Sequence, residues 1–252
     1  MSRIILVTGA NTGIGYDTVR VLASKPEKHT VYLASRNEKS GKDAQAKLQS
    51  EHNLHNVKFV QLDITDIESV QKAKAIIEKD EGGLLDVLVH NAGVGNLDQN
   101  QVASTVDLSV IRSAMETNLY GTIQTTQTFL PLLRAAAAAG NRPKPVILLN
   151  TTDMSSNTVQ ARPDAFLHVT AYNTSKAAAN SYMIALSHEL RGEGILVNCI
   201  TPGFTSTKLN NYGQGGGSTS EAGELLAKWS LLEGELKGKT GLFWSYKGEF
   251  AW

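Results

Sequence analysis

The sequence predicts an α/β protein with a doubly wound parallel sheet of about seven strands and helices on both faces. Short apolar runs recur along the chain, and segments of helix length separate them. Those segments carry helical periodicity, as in ESVQKAKAIIEKD and AAANSYMIALSHEL. The runs lack polar alternation, which is typical of strands that helices cover on both faces. In chain order they are IILV from Ile4, VYLAS from Val31, VKFVQL from Val57, LLDVLVH from Leu84, VILLN from Val146, ILVNCI from Ile195 and GLFWS from Gly241.

The length and composition of the chain indicate a single domain over residues 1–252. Of the 252 residues, 41% are hydrophobic, which is ample for a large buried core, and no repeat or linker divides the chain. Twenty-four basic residues balance twenty-four acidic ones. Because no basic run is present, we expect a small molecule as partner rather than nucleic acid or a membrane.

Cysteine usage and hydropathy predict a soluble, cytoplasmic protein. Cys199 is the only cysteine and lies in the apolar run ILVNCI, so we expect it in the core, with no disulfide and no metal site. The first apolar run is too short for a signal peptide, and no apolar stretch is long enough to cross a membrane.

A glycine-rich turn, TGANTGIG, follows the first predicted strand. Gly9, Gly13 and Gly15 precede the helical pattern YDTVRVLAS. Glycines at a strand-to-helix turn let the backbone bend sharply, and they let a pyrophosphate approach the N–H groups of the helix. No Lys-Ser or Lys-Thr pair follows, so a nucleoside-triphosphate loop is not supported. The turn alone is also compatible with a tight connection that binds nothing.

Five motifs then follow one another in a defined order: TGANTGIG, HNAG at 90–93, TNLYGT around Asn118, YNTSK at 172–176 and TPGF at 201–204. In this order they resemble the motifs of the classical short-chain dehydrogenases/reductases. The stretch from Ser220 to the C-terminus resembles the carbonyl-reductase-like branch of that family. The resemblance implies a Rossmann-type sheet, a nicotinamide cofactor and oxidoreductase activity.

The resemblance also implies where the cofactor binds. The glycine turn would bind its pyrophosphate, and Asp63 would contact the adenine. His90 stands where the family usually has asparagine, and we expect it to pack in the core rather than to act in catalysis. The expected cofactor-binding residues are Gly9, Asn11, Thr12, Gly13, Ile14, Gly15, Arg36, Asp63, Ile64, Asn91, Ala92, Gly93, Tyr172, Lys176, Pro202, Gly203 and Thr205.

The turn after the second predicted strand favours NADPH/NADP+ over NADH. An NAD-binding turn would place a carboxylate about twenty positions past the glycines to bind the ribose hydroxyl. This sequence has Ser35, Arg36 and Asn37 there. An arginine neutralises a 2′-phosphate, which a carboxylate would repel. Many NADP-binding relatives also have a basic residue inside the glycine turn, where this chain has Thr12.

Tyr172 and Lys176 are the expected catalytic pair. They are four residues apart in a helical pattern, so both side chains lie on one helix face. A nearby ammonium favours the phenolate, so we expect a lowered pKa for Tyr172 that makes it a usable proton donor near neutral pH. The resemblance implies that Lys176 also binds the nicotinamide ribose and that Asn118 holds a water molecule behind it.

The third catalytic position carries a threonine. After the fifth strand the family usually has a serine that bonds the substrate oxygen. Matching TTDMS to that pattern places Thr152 there, and Thr151 is the alternative if the register differs by one residue. A threonine supplies the same hydroxyl, although its β-branch stiffens the side chain.

Two segments flank the expected substrate pocket. SSNTVQARPDAFLHVTA, between Thr152 and Tyr172, is longer than the family usually has and favours a monomer. The glycine-rich segment within 204–217 is either a lid over the substrate or a plain surface loop. Three aromatic residues are candidates for an apolar pocket, and each is equally compatible with a core or a solvent-facing position: Phe166, Phe204 and Tyr212. His168 is not expected to contact substrate.

The sequence therefore predicts an NADPH-dependent oxidoreductase that reduces the carbonyl of a ketone, aldehyde or quinone, with Tyr172 as general acid. Two alternatives stay open. One is a non-catalytic cofactor-binding sensor or scaffold, which the threonine at the serine position would suit. The other is a dehydratase or epimerase on the same fold, although such relatives are usually longer.

Overall fold

The computed structural model describes residues 1–165 and 167–252, and one eight-stranded sheet runs through them in the order β3-β2-β1-β4-β5-β6-β7-β8. Every predicted run forms a strand, and neighbours from β3 to β7 pair in parallel. This confirms the doubly wound parallel fold. The strands are β1 (Ile4–Val7), β2 (Thr30–Ser35), β3 (Val57–Gln61), β4 (Val87–His90), β5 (Val146–Asn150), β6 (Leu196–Thr201), β7 (Phe243–Ser245) and β8 (Gly248–Glu249).

The eighth strand is the one difference from the predicted sheet. β8 has two residues and pairs antiparallel with β7 through Trp244–Glu249 and Ser245–Gly248. A Gly-Glu pair has no apolar run to mark it in the sequence, because it lies at the sheet edge and forms only when the chain turns back after β7.

Helices cover both faces of the sheet. Alternate residues of each strand face opposite sides, so Leu6 joins the core under one set of helices and Val7 the core under the other. The helices are α1 (Gly13–Ala23), α2 (Glu38–His52), α3 (Ile67–Asp80), α4 (Leu108–Met115), α5 (Gly121–Ala138), α6 (Asn157–Gln160), α7 (Thr170–Leu190) and α8 (Thr219–Leu231). The first core contains buried residues of α3, α5 and α7, and the second those of α1, α2 and α8.

Capping side chains set the N-termini of several helices. Asn37 accepts a hydrogen bond from the Ser40 N–H at the start of α2, and Asp66 accepts one from the Glu68 N–H at the start of α3. Ser218 and Glu221 form a reciprocal capping box at α8. Asn37 and Asp66 begin their helices shortly after β2 and β3 end.

The order of the strands reverses between β1 and β4. The strands β2 and β3 lie on one side of β1, and the chain then crosses to the other side, where β4 to β8 follow in sequence order. In such sheets the connections leave a crevice at the carboxyl ends of the two central strands. The glycine turn follows β1 and the HNAG motif ends β4, so both lie at this crevice.

A π-helical segment, Glu116–Tyr120, joins α4 to α5 without a break in the rod. Its wider turn contains Asn118, whose side chain is fully buried.

Cys199 is buried in β6, as expected. No helix in the described ranges combines the length and the apolar character that a membrane crossing requires.

Candidate active site

The glycine turn packs directly on the end of β4. Gly9 has φ +61°, and a Cβ there would lie 2.8 Å from the Cα of Ala92. A Cβ on Gly15 would overlap the side-chain amide of Asn91. Gly13 has φ +60°, and the nearest atom to a Cβ built there is a methyl carbon of Thr207 at 3.8 Å. Gly9 and Gly15 therefore permit close packing, whereas Gly13 leaves space beside the turn.

Thr8 and Asn91 fix this junction by hydrogen bonds. The backbone N–H groups of Asn91 and Ala92 donate to the Thr8 hydroxyl at 3.0 and 3.1 Å. The Asn91 amide donates to the carbonyls of Thr8 and Gly9, both at 3.0 Å, and its oxygen accepts from Asn150 at 3.0 Å. Sequence reasoning missed Thr8, although it is the first residue of the glycine motif after β1.

Asn118 and Lys176 both approach Gly93. The Asn118 amide accepts from the Val94 N–H and donates to the Val94 carbonyl, both at 2.9 Å. The Lys176 ammonium donates to the Asn150 carbonyl at 2.9 Å. A Cβ on Gly93 would lie 3.1 Å from Asn118 Oδ1 and 3.3 Å from Lys176 Nζ, so only a glycine leaves this corner open.

Tyr172 lies in the cavity wall, one helical turn before Lys176. Burial, and then the charge of Asp153, raise the pKa of Tyr172 to about 12, while the neighbouring Thr152 acts in the opposite direction. The expected lowering of this pKa is therefore wrong. Burial also lowers the pKa of Lys176 to about 8, so its charge is itself disfavoured. The phenol keeps its proton at neutral pH, as a proton donor requires.

The two candidate threonines differ in their partners. Thr152 Oγ1 donates to Asp153 Oδ1 at 3.1 Å and accepts from the Met154 N–H at 3.3 Å, and Thr152 also lowers the pKa of Tyr172 against the effect of burial. Thr151 Oγ1 shares a hydrogen bond with Ser155 Oγ at 3.1 Å. Both residues line the cavity, and of the two it is Thr152 that acts on the pKa of Tyr172.

These residues surround one cavity of about 560 Å³, a volume suited to a small molecule. The catalytic candidates Thr152, Tyr172 and Lys176 form one part of its wall. Three charged side chains also face it: Asp153, Arg162 and Asp164. The larger apolar residues of the wall are Ile14, Leu97, Met154, Val159, Leu167, Val169, Phe204 and Leu209.

The aromatic residues expected in the pocket fall in different places. Phe204 lines the cavity although 55% of its surface is exposed. Tyr212 is 64% exposed and is absent from the described cavity wall, which agrees with the solvent-facing alternative. His168 is exposed and is likewise not part of that wall. Phe166 lies outside the described residues.

The segment 204–217 closes one side of the cavity and is organised around Asn210. The Asn210 Oδ1 accepts from the Thr207 N–H at 2.9 Å and the Gly213 N–H at 3.3 Å, and its amide donates to the Thr205 carbonyl at 2.7 Å. Thr207, Leu209 and Asn210 line the cavity. This position at the cavity favours the lid over a plain surface loop.

The residues expected around the cofactor follow the carboxyl ends of the strands. Ile14, Pro202, Gly203 and Thr205 line the cavity, and Gly203 has φ +74°. Asn11 donates to Ser40 Oγ at 3.2 Å, which links the glycine turn to the start of α2. Thr12 is the residue before α1.

The residues expected near the adenosine end lie away from this cavity. Arg36 is exposed and directly follows β2. Asp63 follows β3 by two residues, and its carboxylate accepts from the Thr65 N–H at 2.9 Å. Ile64 is buried, and its carbonyl accepts a hydrogen bond from Gln124.

His90 is buried and lies 2.8 Å from the Thr126 hydroxyl. Burial, and then the charge of Lys176, lower its pKa to about 3, so the ring is neutral. This environment agrees with a packing role.

Gln101 is a second residue that sequence reasoning missed. Its side chain is buried, accepts from the Tyr172 N–H at 3.1 Å and donates to the carbonyls of Gly95 and Asn96 at 2.8 and 2.7 Å. It therefore joins the first turn of α7 to the segment after β4. A lone polar residue in a loop gives no sequence signal for such a contact.

The fold and this cavity together are those of a dinucleotide-dependent oxidoreductase. The short chain dehydrogenase family matches residues 3–214, and the chain belongs to this family.

Among curated relatives, the chain is similar to (+)-neomenthol dehydrogenase of Capsicum annuum, with 27% identity over 310 aligned positions that cover 98% of this chain and 96% of the relative. It is 31% identical to the short-chain dehydrogenase anuI of Penicillium roqueforti, over 94% of this chain and 92% of the relative. Both comparisons extend over nearly the whole length of each protein.

Solved structures of carbonyl reductases are also similar to this chain. The NADPH-bound carbonyl reductase from chicken fatty liver matches with a TM-score of 0.85 and 26% identity, over 100% of this chain and 94% of that one. The carbonyl reductase Sniffer of D. melanogaster matches with a TM-score of 0.84 and 25% identity over 100% of both chains. The chain is therefore a carbonyl-reductase-like member of its family.

Proposed function

We propose that this protein is an NADPH-dependent carbonyl reductase in which Tyr172 protonates the carbonyl oxygen of a ketone, aldehyde or quinone. The observation that carries the proposal is the position of Tyr172 in the wall of a small-molecule cavity beside Thr152 and Lys176, where burial raises its pKa to about 12. A general acid must hold its proton at the working pH and lie within hydrogen-bond reach of the reacting oxygen.

The residues at the crevice fit a nicotinamide dinucleotide. The open corner at Gly93 and the space beside Gly13 admit a ligand close to the backbone, and the N-terminus of α1 favours an anionic pyrophosphate there. When bound, NADPH would supply the hydride that the carbonyl carbon accepts. Lys176 uses one of its three N–H groups on the Asn150 carbonyl, so two remain for ribose hydroxyls.

Two other candidate residues, Thr152 and Asn118, would position the reacting groups. Thr152 would orient the carbonyl oxygen toward the Tyr172 hydroxyl. Asn118 would hold the segment after β4 beside Lys176 through its two hydrogen bonds to Val94.

We further propose that residues 1–252 form one domain, since one sheet includes strands from Ile4 to Glu249. We also propose that the protein is a cytoplasmic monomer.

The proposal is tested by the oxidation of NADPH and of NADH, followed by absorbance, with a panel of aldehydes, ketones and quinones. We expect turnover with at least one carbonyl class and a faster rate with NADPH. Tight NADPH binding without turnover of any carbonyl would contradict the reductase and favour the non-catalytic sensor. Faster turnover with NADH would contradict the cofactor preference alone.

Arg36→Ala is expected to weaken NADPH binding by roughly tenfold to a hundredfold, because a charge-assisted hydrogen bond to the 2′-phosphate is lost. NADH binding should stay within about twofold, since NADH has no such phosphate. Dissociation constants for both dinucleotides, measured by nicotinamide fluorescence, check this. Arg112→Ala, at an exposed arginine of α4, is the control. An equal loss for both dinucleotides would show that Arg36 does not distinguish them.

Thr152→Ser is expected to keep kcat unchanged or to raise it by up to about threefold, because serine supplies the same hydroxyl without the stiff β-branch. Thr152→Val removes the hydroxyl at nearly constant volume and should lower kcat by about tenfold or more. Steady-state kinetics with the best carbonyl of the panel measure both. If valine supports the same rate as threonine, this hydroxyl does not orient the substrate.

A further inference from the structure

Asp153 is a carboxylate in the wall of the substrate cavity that the proposed reaction does not use. We infer that Asp153 selects carbonyl compounds that carry a hydrogen-bond donor, a hydroxyl or an ammonium group, on the carbon next to the carbonyl. This inference rests on the proposed function, since it names the substrate class of the same site. It makes Asp153 a specificity-determining residue beside the catalytic hydroxyls.

The backbone places Asp153 directly beside the reacting groups. It begins a 3₁₀ turn, Asp153–Ser155, that follows β5 after Thr151 and Thr152. Its Oδ1 accepts from Thr152 Oγ1 at 3.1 Å and from the Met154 N–H at 3.0 Å. Its charge also acts on the Tyr172 hydroxyl. The carboxylate is therefore next to the hydroxyl that would hold the carbonyl oxygen.

The second oxygen of this carboxylate has an unused capacity to accept. Within residues 1–165 and 167–252, Oδ2 of Asp153 receives no hydrogen bond, and no basic side chain forms an ion pair with Asp153. A carboxylate offers about four acceptor positions, of which two are used here. A ligand in the cavity that brings a donor would meet an anionic acceptor.

Asp153 also competes with a substrate for the proton of Thr152. A threonine hydroxyl has one proton, and Thr152 donates it to Asp153 while its oxygen accepts from the Met154 N–H at 3.3 Å. A plain ketone must take that proton from a charged acceptor to gain one neutral hydrogen bond, and bonds to charged groups are the stronger ones. The structure therefore disfavours plain ketones at Thr152.

A donor next to the carbonyl resolves this competition. If the substrate donates to Asp153 in place of Thr152, the Thr152 hydroxyl rotates and donates to the carbonyl oxygen. The carbonyl oxygen and an α-hydroxyl on the same side lie about one hydrogen-bond length apart. That spacing matches the 3.1 Å between Thr152 Oγ1 and Asp153 Oδ1, so two parallel bonds form. Asp153 thus keeps one accepted hydrogen bond at this position, and the carbonyl oxygen gains one from Thr152.

The rest of the cavity wall determines the polarity that the remainder of such a substrate should have. Much of its wall is apolar, including Leu97, Val159 and Leu209. Burial of apolar substrate surface against this wall stabilises binding but does not orient the substrate, because the hydrophobic effect is non-directional. The expected substrate therefore has a polar end, formed by the carbonyl and its neighbouring donor, and an apolar body.

Four aromatic ketones test the inference: acetophenone and its α-hydroxy, α-ammonio and α-methoxy derivatives. The wild-type protein should prefer the α-hydroxy and α-ammonio compounds over acetophenone in kcat/KM by about tenfold or more, and it should not prefer the methoxy compound, which has no donor. Asp153→Leu should remove both preferences. Asp153→Asn should keep part of the hydroxyl preference through its amide oxygen and lose the ammonium preference, which separates the two donors.

Asp43→Asn is the matched control, because Asp43 is an exposed carboxylate of α2 that pairs with Lys39. It should leave every substrate ratio unchanged. Turnover of acetophenone with unchanged ratios in Asp153→Leu would overturn the inference and leave the proposed function intact. The same holds if the wild-type protein prefers the methoxy compound as strongly as the hydroxy compound.

Binding provides a readout that does not need turnover. With NADP+ present, α-(aminomethyl)benzyl alcohol should raise the melting temperature of the wild-type protein more than 1-phenylethanol does, and Asp153→Leu should remove the difference. If no carbonyl is reduced at all, the proposed function fails, and this measurement still decides the inference. Equal stabilisation by both alcohols in the wild-type protein would overturn it.

Discussion

Tyr172→Phe is expected to lower kcat by about a thousandfold while the dissociation constant for NADPH stays within about twofold. The substitution removes only the phenolic oxygen, and the ring keeps its place in the cavity wall. The lost oxygen is the proton donor, and its raised pKa of about 12 keeps it protonated at neutral pH. Single-turnover rates and cofactor titration on the same preparation separate the two quantities.

Tyr120→Phe is the control for this substitution, because Tyr120 is an exposed tyrosine that does not line the described cavity wall. Its kcat should match the wild-type value. A Tyr172→Phe protein that keeps a tenth of the wild-type kcat would mean that another group, or water, protonates the carbonyl oxygen.

Lys176→Met is expected to lower kcat/KM by about a hundredfold and to weaken NADPH binding by about tenfold. Methionine keeps most of the buried stem, so the loss concerns the ammonium, its bond to the Asn150 carbonyl and its two remaining N–H groups. A melting curve checks that the variant is folded. The expectation fails if the variant binds NADPH and turns over like the wild-type protein.

The pH profile gives the same substitution a second readout. Burial lowers the pKa of Lys176 to about 8, so the ammonium predominates below that pH and is lost above it. A rate that needs the ammonium should therefore fall as the pH rises through about 8 in the wild-type protein. In Lys176→Met this decline should be absent. If the rate of Lys176→Met still declined as the pH rises through about 8, the decline would belong to another titrating group.

The strands and the glycine turn could be predicted because their signals are local. A buried parallel strand such as β5, VILLN, is a short continuous apolar run whatever the rest of the chain does. Gly9 and Gly13 also have the positive φ that only glycine adopts without strain. In both cases the residues themselves carry the constraint.

The chemistry of the site was less predictable because it depends on contacts between distant segments. Asp153 directly follows Thr152, the candidate catalytic threonine, but its effect on Tyr172 arises only when α7 packs against the end of β5. Lys176 was expected to lower the pKa of Tyr172, yet its own burial disfavours its charge. Spacing along a helix predicts which side chains share a face but not how deeply each is buried.

The π-helical segment 116–120 has a consequence for the tolerance of this chain to insertions and deletions. A regular α-helix rotates by about 100° per residue, and the wider turn changes the rotational phase between α4 and α5. Deleting one residue here would restore a regular helix and rotate one end of it relative to the other. Either the buried face of α5, with Phe129 and Leu133, would then turn away from the sheet, or Asn118 would turn away from Val94. A one-residue change of length in this rod would therefore disturb core and site together, whereas most single substitutions along it would affect only one of them.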